Sequence, residues 1–349
     1  MDGKLKLSLI VLCAIISSAT NASSQSGEYS IPITTDLNID QTIVEIRTSK
    51  EHEGLFREII KDRFSRSGLT LPRNLQKVSG QEGVLRFTQH QTLLDPICPK
   101  KVFYVARREL IEPVTIVRNN ERIIAGHWDV SDARYVRDPV PLKELESSLG
   151  IQLDAVLYNY QLGKQASPLL KPADDSQKGR GKEALQPRQV QTLKMPLSYD
   201  LASGEVFTVN EEEVWGSLRG LSMDNVFFGG WAKSYPEFKP TRDQLLKAEL
   251  IPHDLYSEIK DPKSAAKLIL TIEVQSLDDM CPGKVLYETG LVLREEVLIE
   301  RSGIQTWADT WGSYRVQIRP PLAQKELDED QLQLVNRFIH EYQLANPKR

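Results

Sequence analysis

One segment of about forty-five residues occurs twice in this chain, and this repeat constrains the fold more than any other feature. Sliding the sequence against itself by 183 positions lays Val84–Trp128 over Lys267–Trp311 without a gap. About sixteen of the forty-five pairs are identical, which is far above chance. The similarity extends in both directions, so the repeat is a whole domain rather than the ~20–50-residue unit of a solenoid.

The repeat predicts two tandem domain copies joined by a linker. Copy one covers about 41–163, and copy two covers about 200–346. Segment 164–199 is polar and rich in Pro, Gly and Lys, so it cannot bury enough apolar surface to order itself and is predicted to be a flexible linker. Gly204–Trp231 has no counterpart in copy one, which makes it either a binding loop or packing against the neighbouring domain.

Residues 1–22 have the pattern of an export signal. Lys4 and Lys6 precede the apolar run Leu7–Ile16, and small residues follow it. The run is too short to span a bilayer, since a spanning helix needs about 20 residues. A retained N-terminal anchor is the alternative. No later stretch is long and apolar enough to span, so we predict an exported protein, periplasmic or secreted, with no transmembrane segment in the mature chain.

Apolar periodicity within one copy predicts an α+β fold. Copy one contains, in order, a strand, a helix ended by Gly68, three strands and a final helix: Thr42–Arg47, Leu55–Phe64, Val84–Leu94, Val102–Arg118, Arg122–Val130 and Leu142–Leu162. Pro113 is expected to bend or bulge the long strand. Both amphipathic helices need an apolar sheet face. The chain is therefore predicted to be two tandem copies of a two-layer sandwich, each an antiparallel sheet with helices on one face.

Charge and motif content exclude several classes of function. The formal net charge is −4, and the basic residues are scattered, which disfavours nucleic-acid binding. The five histidines lie at no metal-ligand spacing, and His127 is replaced by Thr310 in copy two. Glycine-rich phosphate loops, GxSxG and HExxH are absent from the sequence. We predict no catalytic, cofactor-binding or metal-binding residue. The runs Glu211–Glu213 and Asp328–Asp330 are interpreted as solvated helix starts.

Three kinds of polar residue recur in both copies. Asp95 and Asp278 each follow a strand, where a side-chain to backbone hydrogen bond would shape the turn; a role as metal ligand beside a cysteine is the alternative. The other recurring residues are two glutamates and two arginines: Glu112, Glu295, Arg118 and Arg301. Within one copy they share a strand face but lie too far apart to pair. They indicate either a solvated, salt-bridged face or a shared ligand or partner surface.

The cysteines occupy the same place in both copies, in LDPICPKKVFY and LDDMCPGKVLY. Of three cysteines, Cys13 lies in the predicted signal, which leaves Cys98 and Cys281 in the mature chain. Export implies an oxidising compartment. A disulfide between Cys98 and Cys281 is possible if the copies pack near these loops, and it needs Cα atoms within about 7 Å. Two separate, small, buried side chains are the alternative.

Two segments resemble uncharacterised exported bacterial proteins. One is the strand ending Thr306–Trp311, and the other is the closing helix with Phe338–Tyr342. The order of strands and helices also resembles the small α/β domains of the TolB N-terminal and transporter-auxiliary lipoprotein type. This resemblance implies an accessory or binding module of the bacterial envelope, and it transfers no functional residue to this chain.

Three hypotheses of function follow. The first is a non-enzymatic exported protein that binds an unidentified protein or envelope ligand through its sheet faces or inter-domain cleft. The second is a hydrolase that uses carboxylates in that cleft. The third is a structural or oligomeric component of the envelope.

Overall fold

The computed structural model describes residues 37, 42–69, 83–129, 133–166, 206–214, 218–232, 239–250, 253–254 and 266–347. We call 42–166 the N-terminal half and 206–347 the C-terminal half. The predicted signal lies outside the described residues, and so does the predicted linker except for 164–166, which continue a helix. Among the described residues, no helix combines the length and hydropathy needed to cross a membrane.

Strands and helices occur in the same order in much of the two halves. The N-terminal half contains β1 (Ile43–Arg47), α1 (Lys50–Arg66), β2 (Val84–Leu93), β3 (Val102–Ile116), β4 (Arg122–Asp129), β5 (Ala133–Arg137) and α2 (Leu142–Ala166). The C-terminal half contains β6 (Phe207–Val214), a 3₁₀ turn (Met223–Asn225), β7 (Val226–Ala232), α3 (Lys239–Lys247), β8 (His253–Asp254), β9 (Ala266–Ser276), β10 (Val285–Ile299), β11 (Gln305–Arg319) and α4 (Gln324–Ala345).

All eleven strands belong to one mixed sheet with the path β1-β2-β3-β10-β9-β7-β8. Strands β4 and β5 pair with β3, and β6 pairs with β11, which pairs with β10. The prediction of an antiparallel sheet is corrected, because β1 runs parallel to β2, and β7 runs parallel to β8 and β9. The helices α1 and α3 explain the difference, since a helical crossover returns the chain in the parallel direction. The fold is α+β.

In the N-terminal half, helices α1 and α2 bury their apolar faces against β1, β2 and β3. Phe56 and Phe64 of α1 pack with Leu149 and Leu153 of α2 over Leu85 of β2, and all five are fully buried. The i, i+4 spacing in α2 places both leucines on the same helix face. Gly68, with a φ of +73°, ends the α1 segment in the left-handed conformation that glycine tolerates.

In the C-terminal half, α3 and α4 cover the corresponding sheet face. Trp311 of β11 is fully buried and meets Phe338 of α4 edge to face, with ring centroids 5.2 Å apart. Its indole Nε1 donates a hydrogen bond of 2.6 Å to Glu341, which satisfies the polar end of a buried ring. Leu334 and Val335 complete this contact between helix and sheet.

The long strand β3 is irregular, but not at the proline. Its pairing with β4 shifts between Leu110 and Ile111, so that His127 is the extra residue on β4. Pro113 remains paired with Ile124. A corresponding shift occurs between Leu293 and Arg294 of β10. A β-bulge needs one unpaired residue on the partner strand rather than a proline on this one.

Segment Gly204–Trp231 forms β6, the 3₁₀ turn and part of β7. Its described apolar residues pack inside the protein: Phe207 meets Phe103 of the N-terminal half with ring centroids 5.3 Å apart. Leu218 and Leu221 belong to the core under α3 and α4. Glu211–Glu213 lie in β6, so their interpretation as a helix start is wrong. Pairing with β11 outweighs the weak strand propensity of glutamate.

Candidate functional site

A disulfide joins the two halves. Cys98 and Cys281 are bonded, with Cα atoms 5.4 Å apart, and both are almost fully buried. The contacts around them are reciprocal. The sulfur of Cys98 lies 3.8 Å from the carbonyl oxygen of Met280, and the sulfur of Cys281 lies 3.7 Å from that of Ile97. Of the two alternatives left open by the sequence, the structure contains the bridge.

Asp95 and Asp278 shape the two cysteine-bearing turns. The Oδ1 atom of Asp95 accepts a hydrogen bond of 3.0 Å from the backbone N–H of Lys100. Asp278 accepts one of 3.1 Å from the N–H of Gly283. Gly283 and Lys100 both have positive φ, and an aspartate that bonds the backbone holds such a turn. These carboxylates therefore position the cysteine loops.

Around the disulfide, the sheet faces that carry no helices pack against each other. The cluster includes Phe103 and Val136 from the N-terminal half. From the C-terminal half it includes Phe207, Leu286 and Ile318. All are buried. The sheet faces without helices, which the sequence predicts to be open to solvent, are therefore buried at this end.

At the other end, β3 and β10 pair directly. The register joins Val114 to Ile299, Thr115 to Leu298 and Ile116 to Val297. With the 183-position offset of the sequence repeat, this register is symmetric about its middle pair. Flanking backbone bonds are also reciprocal: the N–H of Val117 donates to the oxygen of Glu296 at 3.0 Å, and that of Glu300 to Pro113 at 3.3 Å. Contacts in which i meets j and j meets i are typical of a two-fold interface.

Two crossed ion pairs border this junction. Arg301 donates to Glu112 from Nη2 at 2.7 Å and from Nε at 2.8 Å. Arg118 donates to Glu295 from Nε at 2.6 Å. Both carboxylates are 2% exposed, so the interpretation as a solvated face is wrong for them. Thr310, at the bulge, adds a 2.6 Å hydrogen bond to Glu295.

The arginines reach across because they lie in turns rather than on strands. Strands β3 and β10 end at Ile116 and Ile299, before Arg118 and Arg301. Each turn therefore carries its guanidinium to the other half, where it neutralises a buried carboxylate. Removing one member of such a pair leaves an uncompensated charge, which costs about 3–5 kcal/mol. These four residues therefore stabilise the contact between the two halves.

Between the packed faces a groove of about 260 Å³ remains. Its floor is formed by two rows of residues that run across β11, β10 and β9. The rows are Tyr314, Gly290, Thr271 and Val316, Glu288, Glu273. Arg134 of β5 lines the groove from the N-terminal half. This groove lies between the two halves, where the sequence-based hypotheses expect a cleft.

Tyr314 forms the aromatic wall of the groove. Its ring lies directly over Gly290, where an added Cβ would meet Cδ1 at 2.7 Å. It also borders Gly312, where an added Cβ would meet Cε2 at 3.2 Å. The Arg134 guanidinium lies 5.6 Å from the ring centroid, within the range of a cation–π contact. The two glycines therefore make room for the ring.

Charged groups of both signs face the groove. Glu273 and Glu288 are directly opposite each other on β9 and β10. Arg134 lies 4.0 Å from Glu288, and its side chain is only 8% exposed. The groove therefore brings the guanidinium of Arg134 beside Glu288, and the exposed Glu273 lies next to Glu288.

The described histidines do not form a site. His52 bonds Ser49 through Nδ1 at 2.9 Å in the first turn of α1. His90 is half-buried on β2, and desolvation lowers its pKa below the ordinary value of 6.5. The side chains of His127 and His253 lie outside what the structure describes. Within the described ranges, no three His, Cys, Asp or Glu side chains are placed to hold a metal ion.

Sequence reasoning missed the four charged and aromatic residues of the groove: Arg134, Tyr314, Glu273 and Glu288. These residues do not recur in both copies, so the recurrence that identified Glu112 and Arg118 could not identify them. His90 and Val105 stand where the C-terminal half has Glu273 and Glu288. The four groove residues alternate along their strands with residues of the opposite sheet face. Because residues two apart share a sheet face, this alternation could have predicted that they face the same side.

The chain has little similarity to known proteins. No protein-family model and no curated protein matches it. Among solved structures it is similar to a variant of PelC, a dodecamer from Paraburkholderia phytofirmans. The identity is 9%, the match covers 39% of this chain and 97% of that chain, and the TM-score is 0.22. A likeness of this size carries no argument about fold or function.

Proposed function

We propose that this chain is an exported, non-enzymatic binding or accessory module of the bacterial envelope, with its ligand site in the groove between the halves. The observation that carries the proposal is the groove itself. A guanidinium, a tyrosine ring and two carboxylates converge there from four strands of both halves. Concave sites with a few convergent polar groups are the usual places of ligand binding.

Export is supported by the disulfide together with the first residues. Disulfides persist in oxidising compartments such as the periplasm. Cys98 and Cys281 are bonded, and Lys4 and Lys6 precede the apolar run Leu7–Ile16. Both features fit a protein that folds after passing the inner membrane.

The architecture we propose is two tandem copies of one domain, closed face to face about a pseudo-two-fold axis. Its support is the reciprocity of the contacts. Where a residue of one half meets a residue of the other, the two equivalent positions also meet. This holds for the disulfide, the β3–β10 register and the two crossed ion pairs. A closed, covalently joined pair holds the groove walls at fixed separation, which lowers the ordering cost of binding.

A ligand screen with matched tyrosine variants tests the binding function. Small amines, carboxylates and diols are added to the mature protein, and the thermal unfolding midpoint is measured. We expect at least one class to raise the midpoint of the wild type. The shift should vanish in Tyr314→Ala and persist in Tyr158→Ala, a change at a 62% exposed tyrosine on α2. A shift that survives in Tyr314→Ala contradicts the proposal, as does the absence of any shift.

A cell fractionation tests export. The full chain, with its own first residues, is expressed in a bacterial host with two membranes. We expect the protein in the periplasm or the medium, with residues 1–22 removed as judged by intact mass. Retention of the full-length chain in the cytoplasm would rule out the exported module.

A hydrolase is the second candidate, because Glu273 and Glu288 are adjacent in the groove. Two carboxylates in a cleft are the minimum for general acid–base chemistry. Turnover of a glycoside or ester substrate would favour it if Glu273→Gln and Glu288→Gln each abolished the rate. Glu329→Gln, at an exposed position on α4, is the matched control.

A further inference from the structure

We propose that two copies of this protein associate through the outer face of helix α2, antiparallel and about a two-fold axis. The surface consists of four apolar residues on the side of α2 that points away from the sheet. We call them the outer stripe: Ile151, Ala155, Tyr158 and Leu162. The groove lies on the opposite face of the same sheet, so the proposal is independent of the proposed ligand site.

Helix α2 is apolar on two opposite faces. Leu149 points to the sheet and is fully buried. At about 3.6 residues per turn, Ile151 and Tyr158 lie half a turn away from it, and they are 55% and 62% exposed. Ala155 and Leu162 lie beside them and are partly buried. A helix that is apolar all round is normally covered on both sides, and an exposed apolar patch marks an interaction surface.

The equivalent helix of the C-terminal half, α4, has a more polar outer face. The repeat places Gln333, Arg337 and His340 at the first three positions of the outer stripe. Gln333 accepts a hydrogen bond of 2.7 Å from Arg315, and Arg337 pairs with Glu341 at 2.9 Å. Both helices cover a sheet with their inner faces, so the difference lies in the outer face. The outer stripe is therefore a property of α2 and not a requirement of the fold.

The spacing of the outer stripe indicates a second copy as its partner. Its residues are separated by four, three and four positions, a pattern that reads the same in both chain directions. Two antiparallel α2 helices can therefore align their stripes with Tyr158 opposite Ala155 and Ile151 opposite Leu162. Each large ring then faces a small residue, as interdigitating side chains require. Every pair forms twice about the axis, which is the property of a two-fold interface.

The charge beside the outer stripe is compatible with this contact. Asp154 lies on the flank of the stripe toward α1, where Arg63 donates hydrogen bonds of 2.7 and 2.9 Å to its carboxylate. In the antiparallel arrangement Asp154 is level with Asn159 of the second copy, which carries no charge. The ion pair between α1 and α2 therefore stays intact when the two copies meet.

The length of the outer stripe sets the expected strength of the dimer. From Ile151 to Leu162 the helix rises about 16 Å, at ~1.5 Å per residue. A standard protein interface buries about 800 Å² on each partner, which is more than four side chains of one helix supply. We therefore expect a reversible dimer with a dissociation constant in the micromolar range.

Sedimentation equilibrium of the mature protein tests the proposal. We expect the average mass to rise from that of one chain to that of two as the concentration increases from about 1 to about 200 μM. Tyr158→Glu should weaken the association about tenfold or more, because a central aromatic contact is lost and a charge enters the interface. His340→Glu, at the equivalent position of α4, is the matched control and should associate like the wild type.

A new charge pair tests the antiparallel register. Ile151→Glu and Leu162→Lys should each weaken the dimer about tenfold or more. The double variant Ile151→Glu/Leu162→Lys should recover most of the lost affinity, because each glutamate then faces a lysine of the other copy. Within one helix the two positions are too far apart to pair, since such pairs form three or four residues apart. Thermal unfolding of the dilute variants verifies that they fold.

Other outcomes overturn the proposal. A monomer at every concentration contradicts it, as does a dimer that Tyr158→Glu leaves unchanged or a double variant that associates no better than the single ones. If the monomer binds vesicles of phosphatidylglycerol and phosphatidylethanolamine, and Tyr158→Glu abolishes that binding, the outer stripe faces a lipid surface and the second copy is wrong. Ligand-dependent unfolding shifts in the groove test the proposed function separately.

Discussion

The two halves of this protein use equivalent residues where they meet and different residues where they border the groove. At the junction, Glu112 and Glu295 are equivalent, and so are the cysteines of the bridge. In the groove, His90 of one half corresponds to Glu273 of the other. A contact between the halves needs a matching residue in each of them, so a change on either side removes that interaction. Each wall of the groove comes from one half, which leaves the two halves able to differ there.

This difference separates residues that hold the structure from residues to which the proposed function assigns ligand recognition. Repeated residues stabilise the closed arrangement, and unrepeated charged residues give the groove its character.

Loss of the bridge should have the largest effect on stability. The double variant Cys98→Ala/Cys281→Ala frees a loop whose ends are 183 residues apart. On the chain-entropy account this loss lowers the free energy of unfolding by about 4–5 kcal/mol. Denaturant titration measures it, and reductant added to the wild type should reproduce most of it. Equal stability with and without reductant would contradict a structural bridge.

Removing the glutamate of either crossed ion pair should cost about 3–5 kcal/mol, because the largely buried arginine that remains loses its carboxylate. Glu112→Ala and Glu295→Ala are expected to be similar, with the second slightly larger because Thr310 also loses its acceptor. The matched control is Glu300→Ala, which breaks the half-exposed pair with Arg122 and should cost less than about 1 kcal/mol. Markedly unequal costs at Glu112 and Glu295 would break the proposed symmetry.

Substitution of Gly290 tests the groove wall. In Gly290→Ala the new Cβ lies 2.7 Å from the Tyr314 ring, and displacement of the ring should cost about 1–3 kcal/mol. Gly54→Ala in helix α1 is the control, since nothing lies within 4 Å of its Cβ. It should stabilise by up to about 1 kcal/mol through helix propensity. A neutral Gly290→Ala would show that the ring does not lie on the strand.

The smallest effect concerns pH. Desolvation lowers the pKa of His90 in the folded protein, so the unfolded chain binds the proton more readily. The stability that the neutral ring contributes is present above the unfolded pKa of 6.5 and is lost as the pH falls from there toward the folded pKa. His90→Gln should therefore flatten the decline in unfolding free energy between about pH 7 and pH 5. Parallel curves for the two proteins would contradict a desolvated histidine.

The sequence predicts some of this structure for clear physical reasons. Recurrence singled out Glu112 and Arg118, because both are needed at the junction, and apolar periodicity identified the helices α2 and α4. The sequence does not show that Arg118 pairs with Glu295, since that partner is distant in the chain. The turn after β3 determines which residue Arg118 reaches. Strand direction was also missed, because alternation is the same in parallel and antiparallel strands. Glu211 was misread because its strand state depends on pairing with β11.

The two halves are joined by a covalent link between the equivalent loops that carry Cys98 and Cys281. Mass spectrometry of a non-reduced protease digest of the alkylated protein tests this link. We expect the peptide with Cys98 to be recovered linked to the peptide with Cys281, and the link to disappear on reduction. Recovery of both cysteines as alkylated free thiols in the non-reduced digest would contradict it.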